Sequence, residues 1–497
     1  MSTAIRIPNP TFPAEAIVGP KNPLPVVISQ QTAFGEVLSA PLTPFVQATA
    51  AYNLIPANIR TYTATGGGAT ASGNEFVCTT GTSVGGYGTI RSVRSVNYKG
   101  GMGAVFRGTG RFTAGVANSI QGVGFFNVGD AYLFGYSGAD FGIIYQHGGL
   151  QEVRTITVTG ASGGSTNLTL TLNDEEYTIP LTAGTTAHNA FEITEWLAGN
   201  QTAWNAYQNG ATVVISAASD GPKSGEYAFT HGSATGGIAQ TTAGVSKTTE
   251  FYPRSEWNRD TCDWIDPTLG NVYQIKLQYL GYGAISFFVE SPSTGDFTLV
   301  HVIEYANSAT TPSVGNPSLR CGLFAASLGS TTNLTVASGS FASFVEGTPG
   351  RTRNPRATSN NKSVGTTLTN ILTLRTRDVF GGKANQVEIE PVILTAFTES
   401  AKGAKVGVYT NATLGGEPNY SYLGAATLVS EVDTAATTVD GGNPLLEFQI
   451  AANSSAVIDL SPLRIRIPPN VRLTVAAAVN SGAASAVGIG LSWYEDL

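Results

Sequence analysis

Charge is what this sequence lacks most. Asp, Glu, Lys and Arg make up only 12% of its 497 residues, against about a quarter in an ordinary soluble domain. Long solvated helices need such residues on their outer faces, so the shortage disfavours them. Cysteine is nearly missing as well. Cys78, Cys262 and Cys321 lie far apart, and an odd number at that spacing fits neither a disulfide framework nor a zinc site. Buried free thiols are expected, with a Cys262 to Cys321 bridge as the alternative. No apolar run is long enough to cross a bilayer, and the opening MSTAIRIPNPTFPAEAIVGP puts prolines where a signal peptide carries its apolar segment. The expectation is a chain made soluble in a cytoplasm, without membrane insertion. Basic residues are scattered apart from Arg351, Arg353 and Arg356, and the net charge is -7. A nucleic-acid footprint needs a basic stripe interleaved with stacking aromatics, so no nucleic-acid partner is expected.

What is present is glycine, 59 residues of it, with Ser, Thr, Ala and Asn between short β-branched and aromatic runs. Such runs broken by turn formers suit short strands. The fold class expected is mainly β: antiparallel β-sandwich, jelly-roll-like domains with an inserted small α+β module. The length implies several cores. Residues 1–59, rich in proline and poor in period, read as an extended anchoring arm. Such an arm cannot offset its own conformational entropy, yet it carries Ile5, Ile7, Phe12, Ile17, Val26, Ile28 and Phe34, so those side chains are expected to dock on a partner surface.

Residues 60–347 alternate apolar and polar at period two and read as one sandwich. FFNVGDAYLFGYSGADFGIIYQ gives consecutive hairpins, with turns at 127–130 and 137–140. Residues 151–250 change character and read as an inserted β-β-α-β-β module. Its helix places Ala190, Ile193 and Leu197 on one stripe beside Phe191, capped by Thr185 or Thr186 and ended by Gly199 and Asn200. The polar stretch 348–375 reads as a linker. A second sandwich, 376–497, closes the chain.

No catalytic constellation emerges from the motifs, and the chain is expected not to be an enzyme and to carry no cofactor and no metal. His147, His188, His231 and His301 show no metal-ligand spacing. Asp260, Asp263 and Asp266, spaced three apart, could surround a cation but lack the order of an EF-hand, so turn and cap roles are expected. Glu290 and Glu304 could form a glycosidase dyad if their separation allowed it. The glycine-rich GTSVGGYG and GGMG have no helix behind them to hold a phosphate and read as turns. Tyr252, Trp257, Trp264 and Tyr282 flank the turns between module and sandwich, where exposed rings could stack on sugars.

Residues 94–149, RSVNYKGGMGAVFRGTGRFTAGVANSIQGVGFFNVGDAYLFGYSGADFGIIYQHGG, together with 257–307, WNRDTCDWIDPTLGNVYQIKLQYLGYGAISFFVESPSTGDFTLVHVIEYAN, resemble a group of virion structural proteins of tailed phages and large DNA viruses. TLTLNDEEYTIPLTAGTTAHNAFEI with ATVVISAAS is similar to small α+β modules of phage tail appendages. VYTNATLGG and VIDLSPLRIRIPPNVRLTVAA before LSWYEDL look like that group's terminal β-domain. The resemblance implies a virion location and no catalytic site. The expectation is therefore a head fibre, tail fibre or spike-like appendage, partnered by other capsid or tail proteins and by its own copies, with a trimer favoured. The alternatives are recognition of a host-surface glycan and, behind it, polysaccharide cleavage.

Overall fold

The computed structural model describes residues 5–7, 16–18, 41–96, 98–230, 233–348, 354–399, 401–424, 428–469 and 471–496. Two compact units divide the chain at residue 42. In the first, Ile5–Ile7 pairs antiparallel with Ala16–Val18. Of the arm residues expected to dock, Ile5, Ile7 and Ile17 fall in these strands, while Phe12, Val26, Ile28 and Phe34 lie outside the described residues.

Among its described residues the second unit is mainly β, with antiparallel sheets and one α-helix. A seven-stranded sheet runs in the order Thr248–Pro253, Asp140–His147, Ala131–Ser137, Ser119–Phe126, Arg320–Ser327, Tyr87–Ser92, Ile59–Ala64. Facing it, a nine-stranded sheet is built around Ala104–Phe112 and Asn271–Leu277. Alternating residues of both sheets meet in one aromatic core. Phe125 of the first meets Phe106 of the second edge to face at 5.7 Å, and Phe134 lies 4.7 Å from Tyr273. Such contacts add to the burial of apolar area. Cys78, Cys262 and Cys321 are all free and buried, so the alternative bridge between the last two is not formed. Burial pushes the Cys262 and Cys321 thiols up to about 12, which keeps them protonated.

The sheet begins earlier than the sequence suggested. Leu42–Thr49 is a strand beside Ser340–Glu346 and buries Val46, so the segment 1–59 is not all arm. Pro44 obscured it, because a proline without an N–H is tolerated in a sheet only at an edge or irregular position.

Between Asp140–His147 and Thr248–Pro253 the chain leaves the sheet and returns. These two strands pair with each other, Tyr145 opposite Glu250, and Leu150 bridges Val245 at the neck. The excursion holds a four-stranded and a three-stranded sheet around the helix Thr186–Asn200. Thr185 caps that helix by accepting from the His188 N–H at 3.1 Å, and Ala190, Ile193 and Leu197 are buried in the module's own core. The strand count exceeds β-β-α-β-β. NLTLTLNDEEYTIPL folds back on itself as Thr166–Leu172 and Glu175–Leu181, and Trp204–Asn209 and Thr235–Thr242 are further strands. The reversal sits at Asn173 and Asp174, with φ of 55° and 72°, the left-handed pair that a two-residue hairpin turn requires.

The expected linker 348–375 carries two strands, Asn354–Val364 and Thr369–Thr376. The first pairs along its whole length with Ser485–Glu495. Its period of two is present but is written in polar residues: the half-buried positions include Asn360 and Lys362, whose side chains donate to the carbonyls of Ile371, Asn370 and Ala436. Apolar alternation was therefore the wrong signal for this edge. The four-stranded sheet Asn354–Val364, Ser485–Glu495, Ile389–Thr398, Ser455–Asp459 packs on an eight-stranded sheet around a core that includes Trp493 and Leu374.

Charged groups join the three cores. Arg375 donates from Nε to Glu431 at 2.8 Å, donates from Nη2 to the Gln208 carbonyl of the module at 2.6 Å, and stacks over Tyr420. Arg94 pairs with Glu388 at 3.0 Å and Lys99 with Asp496 at 2.7 Å, tying the first sandwich to the last. Arg60 reaches the Pro469 carbonyl.

Candidate functional site

Where the module meets the seven-stranded sheet, the two leave a cleft of about 680 Å³, within the range of small-ligand sites. One wall is the outer face of Ile59–Ala64 and Tyr87–Ser92. On that face residues alternate, so Ile90 points into the core while Tyr87, Thr89 and Arg91 point out. The register sets Tyr62 opposite Thr89 and Arg60 opposite Arg91. The Tyr62 and Tyr87 rings lie 5.8 Å apart, and Tyr62 is 37% exposed. The opposite wall comes from the module, with Trp204, Asn205, Asp220 and Lys223, and Lys247 closes the neck.

The electrostatics are lopsided. Two arginines directly across a strand pair repel each other. Burial lowers the Arg91 guanidinium below its usual range, and burial with the Arg91 charge does the same for Arg60. Lys247 pairs with Asp220 at 3.3 Å, and Lys223 donates to Ser219 Oγ and the Asp220 carbonyl. Asp220 thus answers one of the three cations that line the cleft, Arg91, Lys223 and Lys247.

The residues singled out as sugar contacts are not gathered. Trp257 is buried, edge to face with Phe134, and its indole N–H donates to the Tyr252 carbonyl. The Tyr252 ring packs 4.7 Å from His301. Trp264 and Tyr282 are 42% and 41% exposed, and among the described residues no ring contact links either of them to Tyr252 or Trp257. Large aromatics near turns are more often spacers than platforms.

The remaining chemical candidates are also dispersed. His147 meets Glu250 at 3.2 Å, His188 meets Thr182 and Glu192 within the module, and His301 accepts from the Asn258 N–H. His231 lies outside the described residues, as do Arg351 and Arg353. Asp260 accepts from the Cys262 N–H and Asp266 from Thr268, which are turn roles. Glu290 and Glu304 stand at opposite ends of the hairpin in which Ile285 faces Ile303 and Glu290 faces Phe297. Five strand steps from Glu290 to Ile285 and one more from Ile303 to Glu304, at about 3.4 Å each, put them roughly 20 Å apart, beyond either glycosidase geometry. Glu304 instead pairs with Arg259.

A second surface has a different character. On the outer face of the four-stranded sheet the register aligns Ala357, Ser492, Ile393 and Asp459 in one row, Ser359, Gly490, Thr395 and Val457 in the next, and Asn361, Gly488, Phe397 and Ser455 in a third. Asp459, at the edge, is the one charge in these rows. Val457 is 71% exposed and Ile393 41%.

Neither surface could be read from motifs. The cleft draws on segments more than a hundred residues apart, and only the strand register shows that Tyr62 and Arg91 share a face.

No family model matches the chain, and no curated protein matches it. Among solved structures it is similar to a lectin from Bauhinia forficata in complex with GalNAc, at 12% identity over 60% of this chain and 98% of that one, with a TM-score of 0.20. It is similar to the triple jelly roll protein of an archaeal virus turret, at 9% identity over 76% and 90%, with a TM-score of 0.18. A third likeness, to infectious bursal disease virus Gx strain, has 9% identity over 81% and 79% and a TM-score of 0.14. At such scores these likenesses carry no argument, and the mainly β, antiparallel sandwich fold stands on the chain's own strand pairing.

Proposed function

We propose that this chain is a non-enzymatic structural protein of a virus particle, an exposed fibre or spike-like appendage that assembles with its own copies. The virion location rests on the resemblance of residues 94–149 and 257–307. The observation that carries assembly is the outer face of the four-stranded sheet, whose rows of Ala, Ser, Gly, Thr, Ile and Val hold a single edge carboxylate. Three strands of 10 or 11 residues and a fourth of 5, about 4.8 Å apart at about 3.3 Å per residue, offer roughly 600 Å². Two such faces bury about 1,200 Å², the lower end of stable interfaces. A face whose one charge, Asp459, stands at its edge meets a second copy of itself with little like-charge repulsion, so another copy is its occupant. The ion pairs that tie the cores together hold this face in a fixed relation to the first sandwich, as a repeating assembly requires.

The test is the mass in solution of the full chain and of the double variant Ser359→Lys with Thr395→Lys, both positions being exposed and on either side of Gly490. The parent should form a closed dimer, because a face that meets its own copy is related to it by a two-fold axis, and the variant should fall to monomer with an unchanged melting curve. A monomeric parent at micromolar concentration, or an oligomer indifferent to the two charges, defeats the proposal.

A further inference from the structure

The cleft contains a charge that the protein does not neutralise. The Arg91 side chain makes no hydrogen bond and no ion pair among the described residues, although that of Arg60 beside it reaches the Pro469 carbonyl. Half-buried and facing a like charge, its guanidinium gains from an anion that enters the cleft. Lys223 and Lys247 add two further cations, and Asp220 offsets one of the three. In a chain of net charge -7, this is a local positive surplus.

The wall beside Arg91 is aromatic. Tyr62 lies across from Thr89, so Arg91 is its diagonal neighbour on the same face, about 7 Å away. That spacing suits a pyranose ring laid on the Tyr62 face with an exocyclic carboxylate toward the guanidinium. Opposite, Thr202 and Asn205 are exposed and make no side-chain hydrogen bond among the described residues, so they are free to meet hydroxyl groups.

We infer that this cleft binds a carboxylated sugar, with Arg91 taking the carboxylate, Tyr62 the ring face and Asn205 the hydroxyl groups. Nucleic acid would also offer anions and rings, but it needs a basic track for successive phosphates, and the surplus here is confined to one cleft. The inference is independent of the assembly face, which lies on another sheet.

The experiment is titration of the full chain with galacturonic acid, N-acetylneuraminic acid and galactose, with dodecathymidylate as the nucleic-acid probe. At least one acidic sugar should bind, and galactose should bind about tenfold more weakly or worse. Arg91→Gln should remove that preference without lowering the melting temperature, because it also removes the repulsion with Arg60. Asn205→Trp, a change at an exposed position, should block the cleft while leaving Arg91 in place, and so tests the site even if the first variant folds poorly. Galactose binding as tightly as the better of the two acidic sugars overturns the inference, as does no binding of either acidic sugar at about 10 mM. Binding unchanged in both variants, or tighter binding of the oligonucleotide than of either acidic sugar, overturns it as well.

Discussion

Arg375 and Glu431 form an ion pair, 2.8 Å from Nε to the carboxylate, in which neither partner is free to be lost. Glu431 is fully buried, and the same guanidinium holds the Gln208 carbonyl of the module. Burial raises the Glu431 carboxyl, with Arg375 pulling the other way. Replacing Arg375 with Met should leave a buried carboxylate and an unanswered carbonyl, at a cost of about 3–5 kcal/mol. Urea unfolding measures it. Arg375→Lys should recover only part of the loss, since an ammonium lacks the planar fork that reaches both acceptors.

Acid should weaken the first sandwich through His301. Burial lowers its pKa to about 4, and its ring accepts from the Asn258 N–H. The folded state keeps it neutral while the unfolded chain takes a proton near pH 6.5. Its contribution is therefore complete above that pH and is lost as pH falls toward 4, on the order of 3 kcal/mol in all. His301→Gln should flatten the fall in melting temperature between pH 6.5 and 4.5. An equally steep fall in that variant would assign the acid sensitivity elsewhere.

Asp378 acts in the opposite sense. Burial raises it to about 6 against the pull of Arg375. Its favourable term is complete below the ordinary carboxylate value of 3.8 and is lost as pH rises through 6. Asp378→Asn should accordingly raise the melting temperature at pH 8 and leave it unchanged near pH 3.5.

Truncation should distinguish arm from sheet. Removing residues 2–40 should leave the second unit folded, because its strands begin at Leu42–Thr49. Removing residues 2–49 should destabilise it, because Val46 and the pairing with Ser340–Glu346 are lost with that strand. Circular dichroism melts of the two proteins check this, and equal stabilities would contradict the boundary.

The sequence was most legible where apolar alternation and turn chemistry agree. Ala131–Ser137 with its two neighbours lies where FFNVGDAYLFGYSGADFGIIYQ places it, and the helix starts at the Thr185 cap with the expected stripe buried. Legibility failed where a strand face is polar for a structural reason. Lys362 and Asn360 look like linker residues because their partners are carbonyls on remote segments. The aromatic candidates failed for a related reason. Density of rings near a turn says nothing about which side of a sheet each ring occupies, and Trp257 occupies the inner one.

The pairing of Asp140–His147 with Thr248–Pro253 has a consequence for how such a chain evolves. The sandwich completes its hydrogen-bond ladder across the neck whatever is hung there, so the module works as an exchangeable cassette in a fixed socket. A change of module can then rewrite one wall of the cleft while the wall bearing Tyr62 and Arg91 stays as it is. The socket is keyed, however. Any replacement must present a backbone oxygen where Gln208 now meets Arg375, which restricts the exchange to modules that reach the same distance from the neck.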